Sequence, residues 1–353
     1  MIFKDPSTSL TLPGWGKVDW IYLNAGERGF LRTGYDPEFR NALQQVAVKA
    51  LNPVEKIGFL NHLWALALSG DLPITDFVEA LCHFKGDQTR VLVETMVTHL
   101  ETLSDQMVPP GDHPKFVWLI QELFHPLWKE LDWDPKPGED DERRLSRAAV
   151  LWALGALAED EDILPELPRR LTLYWVRPAS LDPTLATPLI RLCARTDLGT
   201  LFEKYIQNFK SATTPEDRDR YLRALADFKK PDLARKLLEF TLSEAVRAQD
   251  VWKPIRYLLA NPAVQAEAWR FVKANWQALR QKGGSVGAQR MIQGTRALWK
   301  PEWREEVGAF FQDPANKVAA AKRALAQTLE FIEIGIRFKT LQQDALSHCL
   351  NSR

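Results

Sequence analysis

One piece of punctuation recurs along this chain: a short polar residue followed by proline, at Asp36-Pro37, Asn52-Pro53, Asp182-Pro183, Thr214-Pro215, Asn261-Pro262 and Asp313-Pro314. Proline at the first helical position gives up an N–H that has no intrahelical partner, while the preceding Asp, Asn or Thr accepts a bond from another orphan donor of the first turn. Each pair therefore predicts a helix start. Asn52 and Thr214 are followed three positions on by Glu55 and Asp217, the spacing of a reciprocal capping box.

Between these starts the apolar spacing is helical. Ile57, Leu60 and Trp64 share a face, as do Leu233, Leu237 and Phe240, and near the end Leu325, Leu329, Ile332 and Ile336. Strand alternation is absent after residue 36. The pattern predicts about fourteen to sixteen helices joined by short links such as "SGDLP" (69–73) and "KKP" (229–231), which make neighbours antiparallel. Pairs stacked in series give a mainly α chain, an irregular α-solenoid of the HEAT or armadillo kind without a legible fixed period. A longer helix over roughly 315–350 is expected to cap the stack.

Residues 1–36 read differently. "SLTL", "WIYL" and "GFLRTGY" are rich in β-branched and aromatic residues and are bounded by Pro13-Gly14, Gly16, Gly26 and Gly29, which is strand and turn chemistry. A lone hairpin is marginal in water, so such strands must lie on the helices or belong to a sheet whose other strands are elsewhere. The expected division is a short β segment, 1–36, and a helical superhelix, 37–353.

With 46 basic and 46 acidic residues the formal net charge is 0, so no global field favours nucleic acid or an anionic membrane. The three cysteines form no CxxC, and neither a disulfide framework nor a zinc knuckle is written here. The N-terminus lacks the pattern of a signal peptide, and no run approaches the ~18 apolar residues of a membrane span. A soluble, cytoplasmic chain is expected.

"WIYLNAGERGFLRTGYD" (20–36) resembles the junction in the aminopeptidase N family of zinc aminopeptidases, which includes the endoplasmic reticulum aminopeptidases, where the last β-sandwich strands lead into a C-terminal helical domain. The residues that carry the resemblance are Asn24, Gly26, Gly29, Arg32 and Tyr35. "NPVEKIGFLNHLWALALSGDLP" (52–73), "ALADFKKPDLARKLLEFTLSEAVRAQD" (224–250), "NPAVQAEAWRFVKANWQAL" (261–279) and "GTRALWKPEWREEVGAFF" (294–311) resemble later parts of that domain in order. His62, where relatives usually carry Asn or Asp, and Thr33, in place of a usual valine, depart from the pattern.

The resemblance does not bring the family's chemistry with it. Zinc in this family needs an HExxH helix, two histidines one turn apart with Glu as general base. No HExxH and no GAMEN occurs, and His62, His83, His99, His113, His125 and His348 show no i, i+3 or i, i+4 pair. No catalytic, cofactor-binding or metal-binding residue is therefore carried over, and the five motif residues are expected to be structural. Zinc is implied only for the catalytic portion of the family.

Other features have plain readings. His99 lies on the apolar stripe Leu92, Met96, His99, Leu103 and reads as a satisfied core histidine, and Cys82-His83 reads as packing. "KGGSVG" (282–287) lacks a GK[ST] ending and reads as a helix-to-helix loop. "GEDDERR" (138–144) and "AEDED" (158–162) read as a solvated loop and helix end, and Arg32 as a partner for a carboxylate or carbonyls. Thirteen tryptophans spread through the chain suit packing, with a few available to line a peptide-binding concavity.

The resemblance implies a C-terminal domain that covers the active-site cleft of a zinc aminopeptidase and selects peptide substrates. Its expected partners are the catalytic half and peptides. The alternative is a stand-alone α-solenoid that binds a peptide or protein on its concave face.

Overall fold

A computed structural model describes residue 16 and residues 18–353. Fifteen α-helices account for most of the described chain. They are α1 (Pro37–Ala50), α2 (Pro53–Ser69), α3 (Ile74–His83), α4 (Arg90–Gln106) and α5 (His113–Leu131). Next come α6 (Asp141–Trp152), α7 (Glu166–Val176), α8 (Pro183–Thr196), α9 (Phe202–Ser211) and α10 (Pro215–Ala224). The last five are α11 (Pro231–Leu242), α12 (Trp252–Ala260), α13 (Gln265–Gly294), α14 (Pro301–Gln312) and α15 (Lys322–Asn351).

The punctuation works as expected at α1, α2, α8 and α10, where Asp36, Asn52, Asp182 and Thr214 each accept a backbone N–H of the first turn. At α2 the box is reciprocal, with Glu55 N–H donating to Asn52 Oδ1 at 3.1 Å and Asn52 N–H donating to Glu55 Oε2 at 3.0 Å. Two of the six pairs start turns instead. Asn261 spends its side-chain amide on the Ala226 and Phe228 carbonyls and accepts Ala263 N–H, so α13 begins only at Gln265. Asp313 likewise accepts Ala315 N–H in a turn ahead of α15.

Helices α2, α4, α6, α8, α10 and α12 pack side by side in succession and form an inner layer, while α3, α5, α7, α9 and α11 each pack on an inner neighbour from outside. This is a mainly α, solenoid-like arrangement. One continuous core runs through it, from Leu43 and Phe59 to Phe338 and Leu350.

Three expectations fail for identifiable reasons. No strand forms among the described residues: "WIYL" and "GFLRTGY" carry no ladder, and "SLTL" lies outside the described residues. A strand needs a partner for its backbone groups, and here side chains of the segment take several of them. The Leu23 N–H donates to the Tyr35 hydroxyl at 3.0 Å, and Gly29 exchanges both backbone groups with the Asn24 amide at 2.8 and 3.0 Å. "KGGSVG" does join two helical stretches, but as a one-residue break within α13 rather than as a loop: Gly284 takes the non-helical φ 64° and ψ −169°. The acidic runs are not simply solvated. Glu139 binds the fully buried Arg147 at 2.7 Å, and buried Asp160 faces His125 Nε2 at 2.7 Å and accepts from Gln121 at 3.0 Å.

The closing helix departs most from expectation. A solenoid unit touches only its neighbours, yet α15 packs on α13 and α14 and also on α2, α3 and α5. It closes on the last pair and also returns to the first. Gln342 makes this contact specific, accepting Ile74 N–H at 3.0 Å and donating to the carbonyls of Leu72 at 2.9 Å and Ala67 at 3.3 Å. Gln343 donates to Met107 O at 2.7 Å and Arg337 to Ser69 O at 3.1 Å. Replacing Gln342 by Ala leaves buried backbone groups without partners, which costs about 1–3 kcal/mol. Urea unfolding of Gln342→Ala should show a loss of that size, whereas Gln343→Ala, at a half-buried site with one bond, should lose less.

Candidate functional site

The inner layer encloses a concave cavity of about 520 Å³. Each inner helix contributes to its wall: Trp64 from α2, Asp105 from α4, Trp152 from α6, Arg191 and Arg195 from α8, Arg223 from α10 and Tyr257 from α12. The segment between α13 and α14 adds Arg296 and Trp299, and α15 adds Phe331, so the wall closes where α15 returns. Trp299 reaches its place because position 335 is glycine; a Cβ there would overlap the indole ring.

Basic groups here are stacked on aromatic faces. The Arg191 guanidinium lies 3.7 Å over the Trp152 ring and is clamped by Asp227 at 2.7 and 3.0 Å. Arg223 lies 4.9 Å over Tyr257 and Arg296 5.7 Å over Phe331. Trp152 Nε1 donates to Glu101. Such stacking holds a cation in place without neutralising it. Burial and the neighbouring Arg256 also press the Arg296 guanidinium below its ordinary value.

Two titratable groups in the wall are strongly perturbed. Burial pushes the Asp105 carboxyl from 3.8 up to about 7, with Glu101 and Asp227 adding to the rise and Arg195 opposing it. The buried Arg195 Nε meets no hydrogen-bond partner among the described residues. His99 is held down to about 4 by burial; its Nε2 lies 3.1 Å from Asn61 Oδ1 and its ring stacks on Trp64 at 4.5 Å. It is the core histidine expected from its stripe, touching the cavity rim. A half-buried acid held toward its neutral form, near an arginine whose Nε has no partner among the described residues, sets this concavity apart from the apolar core.

The motif residues lie elsewhere, on the segment that leads into α1 and rests on α2. Asn24 is buried and ties the turn to Gly29, Gly26 takes φ 67° with its N–H donating to Glu55 Oε1 at 2.8 Å, and Tyr35 accepts from Leu23. Arg32 is exposed, with no ion pair or side-chain hydrogen bond among the described residues. The two departures meet each other: Thr33 Oγ1 lies 2.5 Å from His62 Nδ1, while His62 Nε2 is 3.3 Å from Glu27, which also accepts from Tyr22 and Asn24. Burial keeps the His62 imidazole below its ordinary pKa, Glu27 opposing and Arg32 adding to the effect. None of this segment reaches the cavity wall.

The model of the ERAP1-like C-terminal domain matches residues 20–334. This chain belongs to that family. Aminopeptidase M1-D of Oryza sativa subsp. japonica is 24% identical over 333 residues, covering 90% of this chain and 37% of that protein. Glutamyl aminopeptidase of Bitis rhinoceros is 25% identical over 328 residues, 89% of this chain and 34% of that protein. Aminopeptidase 2 of Candida albicans is 21% identical over 339 residues, with 94% and 36% covered. The chain spans little more than a third of the length of these relatives, and the match is to their C-terminal domain alone.

Among the described residues no three His, Cys, Asp or Glu converge; His62 lies between Thr33 and Glu27, His99 beside Asn61 and His125 beside Asp160. No helix among them is long and apolar enough to cross a membrane. The cavity arginines escaped the sequence reading because helix rotation decides which face is concave; Arg191 and Arg195, one turn apart on α8, were the available signal.

The sign of the Asp105 effect is testable. Between 3.8 and about 7 the folded chain holds a proton that the unfolded chain releases, so stability falls as pH rises through that window. Thermal melts of Asp105→Asn against the unaltered chain should show little difference near pH 4, a gain for the variant that grows up to about pH 7, and a plateau above it.

Proposed function

We propose that this chain is the closing domain of a zinc aminopeptidase, covering the active-site cleft of a catalytic portion and selecting the peptides that reach it. The observation that carries the reading is the ring-closed inner layer around one cavity lined by aromatic rings and arginines. Aromatic faces and cations suit a peptide, whose carbonyls and carboxylates would find Arg195, Arg223 and Arg296, and whose apolar side chains would find Trp64, Trp299 and Phe331. Closing such a wall over a cleft excludes water and restricts entry. In this reading residues 37–353 form the helical domain, and the segment leading into it lies against the catalytic portion. The exposed Leu23, Phe30 and Leu31 support an apposed surface there. Catalysis and zinc reside in the other portion.

A second reading has its own support. The ring is held by contacts of this chain alone, so a stand-alone peptide- or protein-binding module is also a complete physical object.

The test is an aminopeptidase assay with zinc, on aminoacyl fluorogenic substrates and on peptides of graded length. It is run on the chain alone and after mixing with a separately expressed catalytic portion. The chain alone should be inactive. The mixture should show altered length selection, and Arg195→Ala should raise KM about tenfold for long peptides while leaving the aminoacyl substrates unchanged. Activity of the chain alone would refute the reading. Failure to associate, together with peptide binding by the isolated chain in calorimetry, would favour the stand-alone module.

A further inference from the structure

The closing helix meets α3 in register. Gln342 of α15 binds Ile74 at the start of α3 at 3.0 Å. Cys82 lies eight residues beyond Ile74 and Cys349 seven beyond Gln342, which at 1.5 Å per residue carries both about 10–12 Å along the shared interface. Their neighbourhood agrees: the Arg353 guanidinium lies beside both sulfurs and reaches Glu122 of α5 at 3.8 Å. Both cysteines are free and half-buried, whereas Cys193 is free and buried within α8. Glu122 and Lys85, 3.3 Å apart, line a shallow surface cavity of about 310 Å³ next to this end of the interface, and access to the sulfurs rests on the partial exposure of Cys82 and Cys349 themselves.

We propose that Cys82 and Cys349 form a redox-responsive dithiol that a low-molecular-weight disulfide converts into a covalent staple between α3 and α15. The thiolate of one cysteine attacks the reagent's S–S bond, forming a mixed disulfide and expelling one thiolate. The second cysteine then attacks the protein sulfur of that mixed disulfide and expels the other. The two protein thiols lose two electrons and two protons in total, and the reagent leaves as two thiols. The cross-link fixes the contact that turns the arc into a ring and spans most of the chain, the case in which a cross-link constrains the unfolded state most. The inference concerns this chain's own residues and does not rest on the peptidase reading.

The test uses the unaltered full chain. It is incubated with oxidised glutathione, quenched with N-ethylmaleimide, digested without reduction and mapped by mass spectrometry, with thermal melts before and after. The expected result is one linked pair, Cys82 with Cys349, and Cys193 alkylated only after denaturation. The oxidised form should melt several degrees higher, reversibly with dithiothreitol. The shift should vanish in Cys82→Ser and in Cys349→Ser and persist in Cys193→Ser. Stable glutathione adducts without the linked peptide, linkage through Cys193 or between chains, or a linked pair with no rise in melting temperature would each overturn it. So would an absence of both linkage and adducts. Because reduced and oxidised forms of the same chain are compared, the result does not depend on any variant folding.

Discussion

Everything on the concave side depends on α15 returning to the first helices. Stacked helix pairs alone make an open arc whose stability is a sum of local interfaces. A contact between residues 268 positions apart, Gln342 with Ile74, changes the geometry. It ties backbone groups at the turn between α2 and α3, where the Ile74 N–H at the helix start has no intrahelical acceptor. Glutamine suits this place because one amide supplies both an acceptor and donors, and here it uses both. The same helix presents Gly335 to Trp299 and Phe331 to the cavity, so ring closure and cavity wall are built by one element.

A closed ring can hold groups that an open arc would leave to solvent. Asp105 and Arg296 sit in a concavity where burial disfavours their charged forms, and Arg195 beside them has a buried Nε with no hydrogen-bond partner among the described residues. Packing would have been better served by apolar side chains, since removing charges from water is costly unless they are well paired. Arg191 shows what a purely structural solution looks like: a two-point clamp by Asp227 and a stacked indole. Arg195, one turn away, has no comparable arrangement among the described residues. The contrast within one helix separates residues that hold the wall from residues that the wall presents.

How much of this was legible beforehand follows from the range of each interaction. The starts of α1, α2, α8 and α10 are local, decided within four residues by a cap and a proline, and they were readable. So was the burial of His99, which follows from helical spacing. Asn261 looked like the same local signal, but its amide is claimed by carbonyls 33 and 35 residues away. Glu139 and Asp160 sit in runs that look solvated, yet each meets a partner from another part of the fold. The return of α15 is the extreme case, since nothing in its own spacing points to α3. The strand reading of 20–35 failed for a related reason: residue types suited to a sheet do not make one without a ladder partner.

That segment nevertheless has a definite structure, and its chemistry is divided between its two sides. Toward α2 it is polar and crowded. Glu27, at φ 53°, reaches between Tyr22, Asn24 and His62, and it approaches the helix where position 58 is glycine and a Cβ would overlap its carboxylate. Thr33 and His62, which the sequence suggested as departures from the family pattern, are bonded to each other, so each supplies the other's hydrogen-bond partner. Away from α2 the segment turns large apolar side chains outward, Phe30 fully and Leu23 and Leu31 in part, beside the exposed Arg28 and Arg32. A stretch that uses its polar groups to fix itself on the helices while turning its large apolar side chains outward keeps its shape without a sheet. It thereby offers a preformed apolar face, and covering that face would bury surface without the entropy cost of ordering the backbone beneath it.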